Sequence, residues 1–119
     1  MPPKPISSFP SRFPLHTVWL KVPISSRDDF FSQFNKLAGQ QGFTPRISRS
    51  DPVEERFSIS MFRRDIEVLG SNPFDLDVYQ VEFYASPNVA VPPNVIDPLF
   101  DTFRRTMAET PGVVIAKSK

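Results

Sequence analysis

Cysteine is absent from the 119 residues, and three other chemically informative residues are scarce: one His, one Trp and four Gly. Without thiols the chain has no disulfides, no thiolate nucleophile, no iron–sulfur ligands and no Cys-held zinc. A Cys-free chain folds equally well in reducing and oxidising surroundings, so the compartment stays open. The single His16 leaves acid–base and nucleophilic chemistry short of its usual proton acceptor. It lies between a Pro-rich segment and the first expected strand, and reads as a surface residue at a strand entrance. A hydrolytic triad would need Lys or a carboxylate as its base. The four glycines form no GxG pair and none precedes Lys-Ser or Lys-Thr, so the sequence holds no phosphate-cradling motif. No run of 18 apolar residues occurs, and no membrane-spanning helix is expected.

Charge of one sign is also missing. Fourteen Lys and Arg balance thirteen Asp and Glu to a net charge of +1, with both signs interspersed. That balance argues against duplex nucleic acid, whose binding draws on many Lys and Arg contacts to phosphate. Phe, by contrast, is plentiful. Twelve of them offset a modest 39% hydrophobic content, so a ring-rich core is expected, with no disulfide or metal staple. The length fits one domain burying roughly two-thirds of its unfolded surface. Residues 1–14 carry five Pro and three Ser and read as a flexible tail or tether ahead of a domain at 15–117. Such a tether fits a chain whose signal or lipid-anchor segment has been removed, and favours the cell envelope or periplasm over the cytoplasm.

Periodicity supplies the elements. Val18, Leu20 and Val22 alternate with Thr17, Trp19 and Lys21 as in a strand, closed by Pro23. Ser26 and Asp29 have capping-box spacing, and Phe30, Phe34, Leu37 and Ala38 recur at helical intervals before Gly39 and Gly42. Phe43 to Arg49 reads as a short strand weakened by Pro45, followed by a polar turn from Ser50 to Glu55. Phe57, Ile59 and Met61 alternate with Ser58, Ser60 and Phe62, and apolar character returns at Ile66, Val68 and Leu69 with changed parity. One long strand bent or bulged at Arg63-Arg64-Asp65 is expected there. Leu76 to Ala85 sets Tyr79, Val81 and Phe83 against Val78, Gln80, Glu82 and Tyr84. A second helix begins near Asn94 or at Asp97, with Pro98 at its first position and Ile96, Leu99, Phe100, Phe103 and Met107 as its buried stripe. Val113 to Ala116 is a last strand, and Lys117 to Lys119 a solvated tail.

The expected class is α+β, a ferredoxin-like α/β sandwich of order β-α-β(β)β-α-β, its antiparallel sheet covered by two helices on one face. That architecture hosts many functions, and none follows from it alone.

The acidic pairs have structural explanations. Asp28 and Asp29 open a helix, where negative charge meets the positive end of the dipole. Glu54 and Glu55 sit in a polar turn. Asp75 and Asp77 would approach a hard cation only with help from loop carbonyls, and a solvated strand end accounts for them. No metal and no cofactor is expected. The more informative set is the sheet face turned from the helices: Trp19, Lys21, Ser58, Ser60, Phe62, Gln80, Glu82 and Tyr84, with Arg63, Arg64 and Asp65 as a charged rim. Exposed aromatic patches on small domains mark contact sites, unless the tail with Phe9, Phe13 and Leu15 folds back over them. The reading is a protein-binding module of inhibitor, immunity-type or adaptor kind that uses Trp19, Lys21, Phe62, Arg63, Arg64, Asp65, Glu82 and Tyr84. A homodimer through sheet faces is its close relative. The alternatives are a single-stranded RNA binder stacking bases on those rings, and a ligand carrier or enzyme with an apolar pocket.

Overall fold

A computed structural model describes residues 13–51 and 56–119, with the backbone alone for 46–51 and 57. Most of the Pro-rich tail and the Glu54-Glu55 turn therefore lie outside the described residues. The elements run β1 (His16–Lys21), a single 3-10 turn (Ile24–Ser26), α1 (Arg27–Gln40), β2 (Thr44–Asp51), β3 (Arg56–Phe62), β4 (Ile66–Ser71), β5 (Val78–Ala85), α2 (Pro93–Ala108) and β6 (Val114–Ser118). All six strands form one antiparallel sheet in the order β2-β3-β4-β5-β1-β6. The class is α+β, with two more strands than a four-stranded sandwich holds.

One of the two extra strands is β2, the short strand expected near Phe43 to Arg49, and the other comes from residues 57–71. The segment expected to be one bent strand is a hairpin: Ser58 pairs with Ser71 and Phe62 with Glu67, across a tight turn at Arg63–Asp65. Arg63 N–H donates to the Ile66 carbonyl at 2.8 Å and closes the turn. A parity change accompanies a bulge and a chain reversal alike, so alternation alone does not separate them. What separates them is Arg63, whose guanidinium grips Asp65 two residues on through Nε at 2.6 Å and Nη2 at 3.0 Å. Between the helices there are thus four strands. β2 tolerates Pro45 because it lies at the sheet edge, with an irregular register between Pro45 and Ile47.

Both helices cover one face. On β5, Tyr79, Val81 and Phe83 are fully buried. Phe30 of α1 meets Tyr79 edge-on at 5.2 Å, while Phe100 and Phe103 of α2 each meet Phe83 at 5.3 Å. Phe103 also contacts Phe34 at 5.6 Å and Phe43 at 5.8 Å, joining the helices and the α1–β2 loop in one ring cluster. Each such ring contributes about 1.5–3 kcal/mol by burial, and each edge-on pair adds about 0.5–1.5 kcal/mol.

Three local expectations also change. Ser26 makes no capping bond to α1; its hydroxyl donates instead to the Pro111 carbonyl at 2.7 Å, tying the start of α1 to the α2–β6 loop. α2 begins at Pro93, which fills the first helical position, and Pro98 lies inside the helix. Pro98 there leaves only the carbonyl of exposed Asn94 without a helical donor, which water can satisfy. Finally, Lys117 to Lys119 do not form a loose tail. Their side chains are exposed, but β6 runs to Ser118, and Thr17 and Lys119 exchange backbone bonds of 2.9 and 2.7 Å.

Candidate functional site: the open face of the sheet

Alternation along β1, β3, β4 and β5 buries one set of side chains against the helices and turns the other set away. Antiparallel pairing then lines the outward residues up in rows across the strands. One row runs Phe62–Glu67–Tyr84. The next holds Ser60, Leu69, Glu82 and Thr17, continued to Lys119 by its backbone pairing with Thr17. A third holds Ser58, Ser71, Gln80, Trp19 and Lys117. Lys21 ends the face, between Val78 of β5 and Val114 of β6.

Trp19, Lys21, Phe62, Glu82 and Tyr84 are therefore brought together on one surface, and among the described residues no helix lies on it. Phe62 is 36% exposed, and Trp19 and Tyr84 are half-buried. Trp19 is held in place: its Nε1–H donates to Gln80 Oε1 at 3.2 Å, and the ammonium groups of Lys117 and Lys119 lie over its ring at 5.3 and 5.8 Å. At such exposure each cation–ring contact contributes about 0.5–1 kcal/mol. Tyr84 donates its hydroxyl to Glu82 Oε2 at 2.8 Å, which fixes the phenol and the carboxylate against one another. The charge on this face is split by strand. Lys21 stands on β1, Lys117 on β6 and Lys119 just after it, whereas Glu67 and Glu82 stand on β4 and β5.

Arg63 and Asp65 lie elsewhere. Besides gripping Asp65, Arg63 donates from Nη1 to the Gln41 carbonyl at 3.1 Å, and its guanidinium lies 5.2 Å from the centre of the Phe43 ring. This staples the β3–β4 turn to the end of α1, on the helix-covered side. The Arg63 hydrogen bond, opposed by partial burial and aided by Arg63's charge, holds the Asp65 carboxyl below the ordinary aspartate value. Arg64, at the tip of the turn, is exposed. The loop between β4 and β5, with Phe74 91% exposed, is at the other end of β4 from this turn, so the two do not flank a common spot.

Sequence reasoning missed Glu67 and Leu69, because β4 was read as the continuation of β3. The alternation of Ile66, Val68 and Gly70 with Glu67, Leu69 and Ser71 carried the signal. It also missed Lys117 and Lys119, whose place follows from a pairing that joins the two ends of the fold.

His16 is more constrained than a surface residue at a strand entrance. Its Nε2 lies 2.7 Å from Asp97 Oδ1 and its Nδ1 3.1 Å from the Lys119 carbonyl oxygen, while the ring stacks on Phe100 at 4.3 Å and 5°. The residue straps β1 to α2 and to the end of β6. Asp75 accepts the Asp77 N–H at 3.0 Å and so closes the turn before β5. No cluster of three or more His, Cys, Asp or Glu suited to a metal occurs among the described residues, nor does any helix long and apolar enough to cross a membrane. Two surface hollows flank α1. One of about 300 Å³ is lined by Asp29, Ser32, Gln33, Lys36 and Pro111. The other, about 200 Å³ and mostly apolar, lies among Asn35, Ala38, Phe43, Pro45 and Met61, and is smaller than the roughly 300–1,000 Å³ of typical ligand pockets.

The chain matches no protein-family model, and no curated protein or solved structure is detectably similar to it.

Proposed function

We propose that this chain is a non-catalytic protein-binding module, of inhibitor, immunity-type or adaptor kind, that docks a protein partner through the open face of its sheet. The observation that carries this reading is the gathering of Trp19, Phe62 and Tyr84 on the face opposite both helices. Aromatic side chains supply large contact area at little entropic cost and dominate binding hot spots. Trp19 and Tyr84 are also oriented in advance by Gln80 and Glu82, which lowers the cost of ordering them on contact. We read the fold itself as a ferredoxin-like sandwich widened by one hairpin. In support, β5-α2-β6 encloses β1 as a split β-α-β unit, and β1-α1-β2 is a second such unit with three strands between its ends.

The test is capture of partners from the native host with wild-type, Trp19→Ala and Phe62→Ala baits, each checked by circular dichroism. Loss of one partner from both folded variants is the expected result; identical capture by all three baits refutes the docking face.

A second reading, single-stranded RNA binding, draws on the lysines around Trp19, since a ring flanked by cations suits a stacked base beside a phosphate. Glu67 and Glu82 on the central strands oppose it by repelling the backbone. Titrating mixed-sequence oligonucleotides against Trp19 fluorescence at low salt decides between them: no change removes the RNA reading.

A further inference from the structure

We infer that the open face is self-complementary and that, resting on the docking reading above, one occupant of it is a second copy of this chain. The argument is the order of charges along one row. Glu82 of β5, Thr17 of β1 and Lys119 after β6 lie side by side, with Thr17 in the middle. A two-fold axis running along β1, between two sheets packed face to face, exchanges the flanking positions. Lys119 of each copy then lies over Glu82 of the other, while Thr17, only 5% exposed, stays beneath the contact. The same axis brings Trp19 against Trp19 and sets Lys117 over Gln80 in the adjacent row. A two-fold interface requires that residue i meet j while j meets i, and this row satisfies the requirement with opposite charges.

The arrangement carries its own cost. Lys21 lies on β1 itself, between Val78 and Val114, and so meets Lys21 of the other copy near the rim of the contact. Only β5, β1 and β6 overlap about this axis. At about 4.8 Å per strand and 3.3 Å per residue the overlap measures about 14 by 20 Å, roughly 280 Å² per copy, which is below the size of standard specific interfaces and in the range of weak, transient contacts. The dimer is therefore weak and transient, populated only at high protein concentration.

Sedimentation velocity of the full chain from about 10 to 500 μM in low salt tests this, with circular dichroism confirming the fold of each variant. The wild type sediments faster as concentration rises, and added salt reverses the effect. Glu82→Lys and Lys119→Glu, each alone, place like charges at both symmetric contacts and weaken association by about tenfold or more. Mixing these two variants in equal amounts restores association as a heterodimer, because opposite charges again meet at both contacts. Lys21→Gln, which relieves the on-axis repulsion, tightens the dimer. A wild type that stays monomeric at the highest concentration overturns the self-docking inference and leaves the face to an unrelated partner, which the capture experiment examines separately. Association that survives both single reversals, or variants that fail to rescue each other, places any dimer on another surface, such as the β6 edge, and overturns it as well.

Discussion

Replacing Gly112 by alanine tests whether the α2–β6 loop is held by a specific backbone geometry or merely closes a gap. Gly112 has φ of +85°, in the left-handed region, and a Cβ built there would lie 2.6 Å from the Ser26 hydroxyl oxygen. That hydroxyl is the group that donates to the Pro111 carbonyl at 2.7 Å. The backbone penalty for a non-glycine residue in this region is about 1–2 kcal/mol. The added methyl also forces the hydroxyl to rotate away, which forfeits its hydrogen bond at about 1 kcal/mol. Gly112→Ala is therefore expected to destabilise the fold by about 2–3 kcal/mol, read as a lowered urea midpoint at unchanged slope. Ser26→Ala alone loses only the hydrogen bond, about 1 kcal/mol. The double variant has no hydroxyl left to displace, so it should be about as stable as Gly112→Ala alone, a coupling of about 1 kcal/mol. Strict additivity of the two substitutions, or a cost below about 0.5 kcal/mol for Gly112→Ala, would refute the reasoning.

Two further outcomes follow from the staples at the other end of the sheet. Asp65 has a carboxyl held below the ordinary aspartate value of 3.8, chiefly by the Arg63 hydrogen bond. Its contribution to stability is thus complete above that value and lost as pH falls through the lower folded value. Asp65→Asn should flatten the acid limb of a urea-midpoint profile while costing stability near neutrality, and an acid limb identical to that of the wild type would contradict this. His16→Phe keeps a ring to stack on Phe100 but loses the contacts to Asp97 and to the Lys119 carbonyl. Faster amide exchange at Thr17 and Lys119, with a global loss of about 1 kcal/mol, is expected; unchanged exchange there would show that the strap is idle.

The candidate site was legible where its signal was local. Trp19, Lys21, Phe62, Glu82 and Tyr84 were placed on the outward face by strict alternation within single strands, and the buried residues of β1, β3 and β5 confirm that parity. Residues whose role depends on distant partners were not legible. Arg63 and Asp65 resembled a charged rim because nothing local shows that Gln41, 22 residues earlier, would receive the Arg63 guanidinium. Lys117 and Lys119 resembled a solvated tail because their place beside Trp19 needs β6 to pair with β1, across nearly the whole chain.

By itself, then, the sequence determined the ring-rich core, the two amphipathic helices and the face to which each strand residue points, because helical and strand periods are properties of neighbouring residues. Only the tertiary structure decided that the charged triplet at Arg63 reverses the chain, that β1 is inserted between β5 and β6, and that acidic and basic side chains from four strands share one open surface. Those outcomes rest on which strands find one another, and hydrogen-bond pairing between strands leaves no mark in the spacing of residues along any one of them.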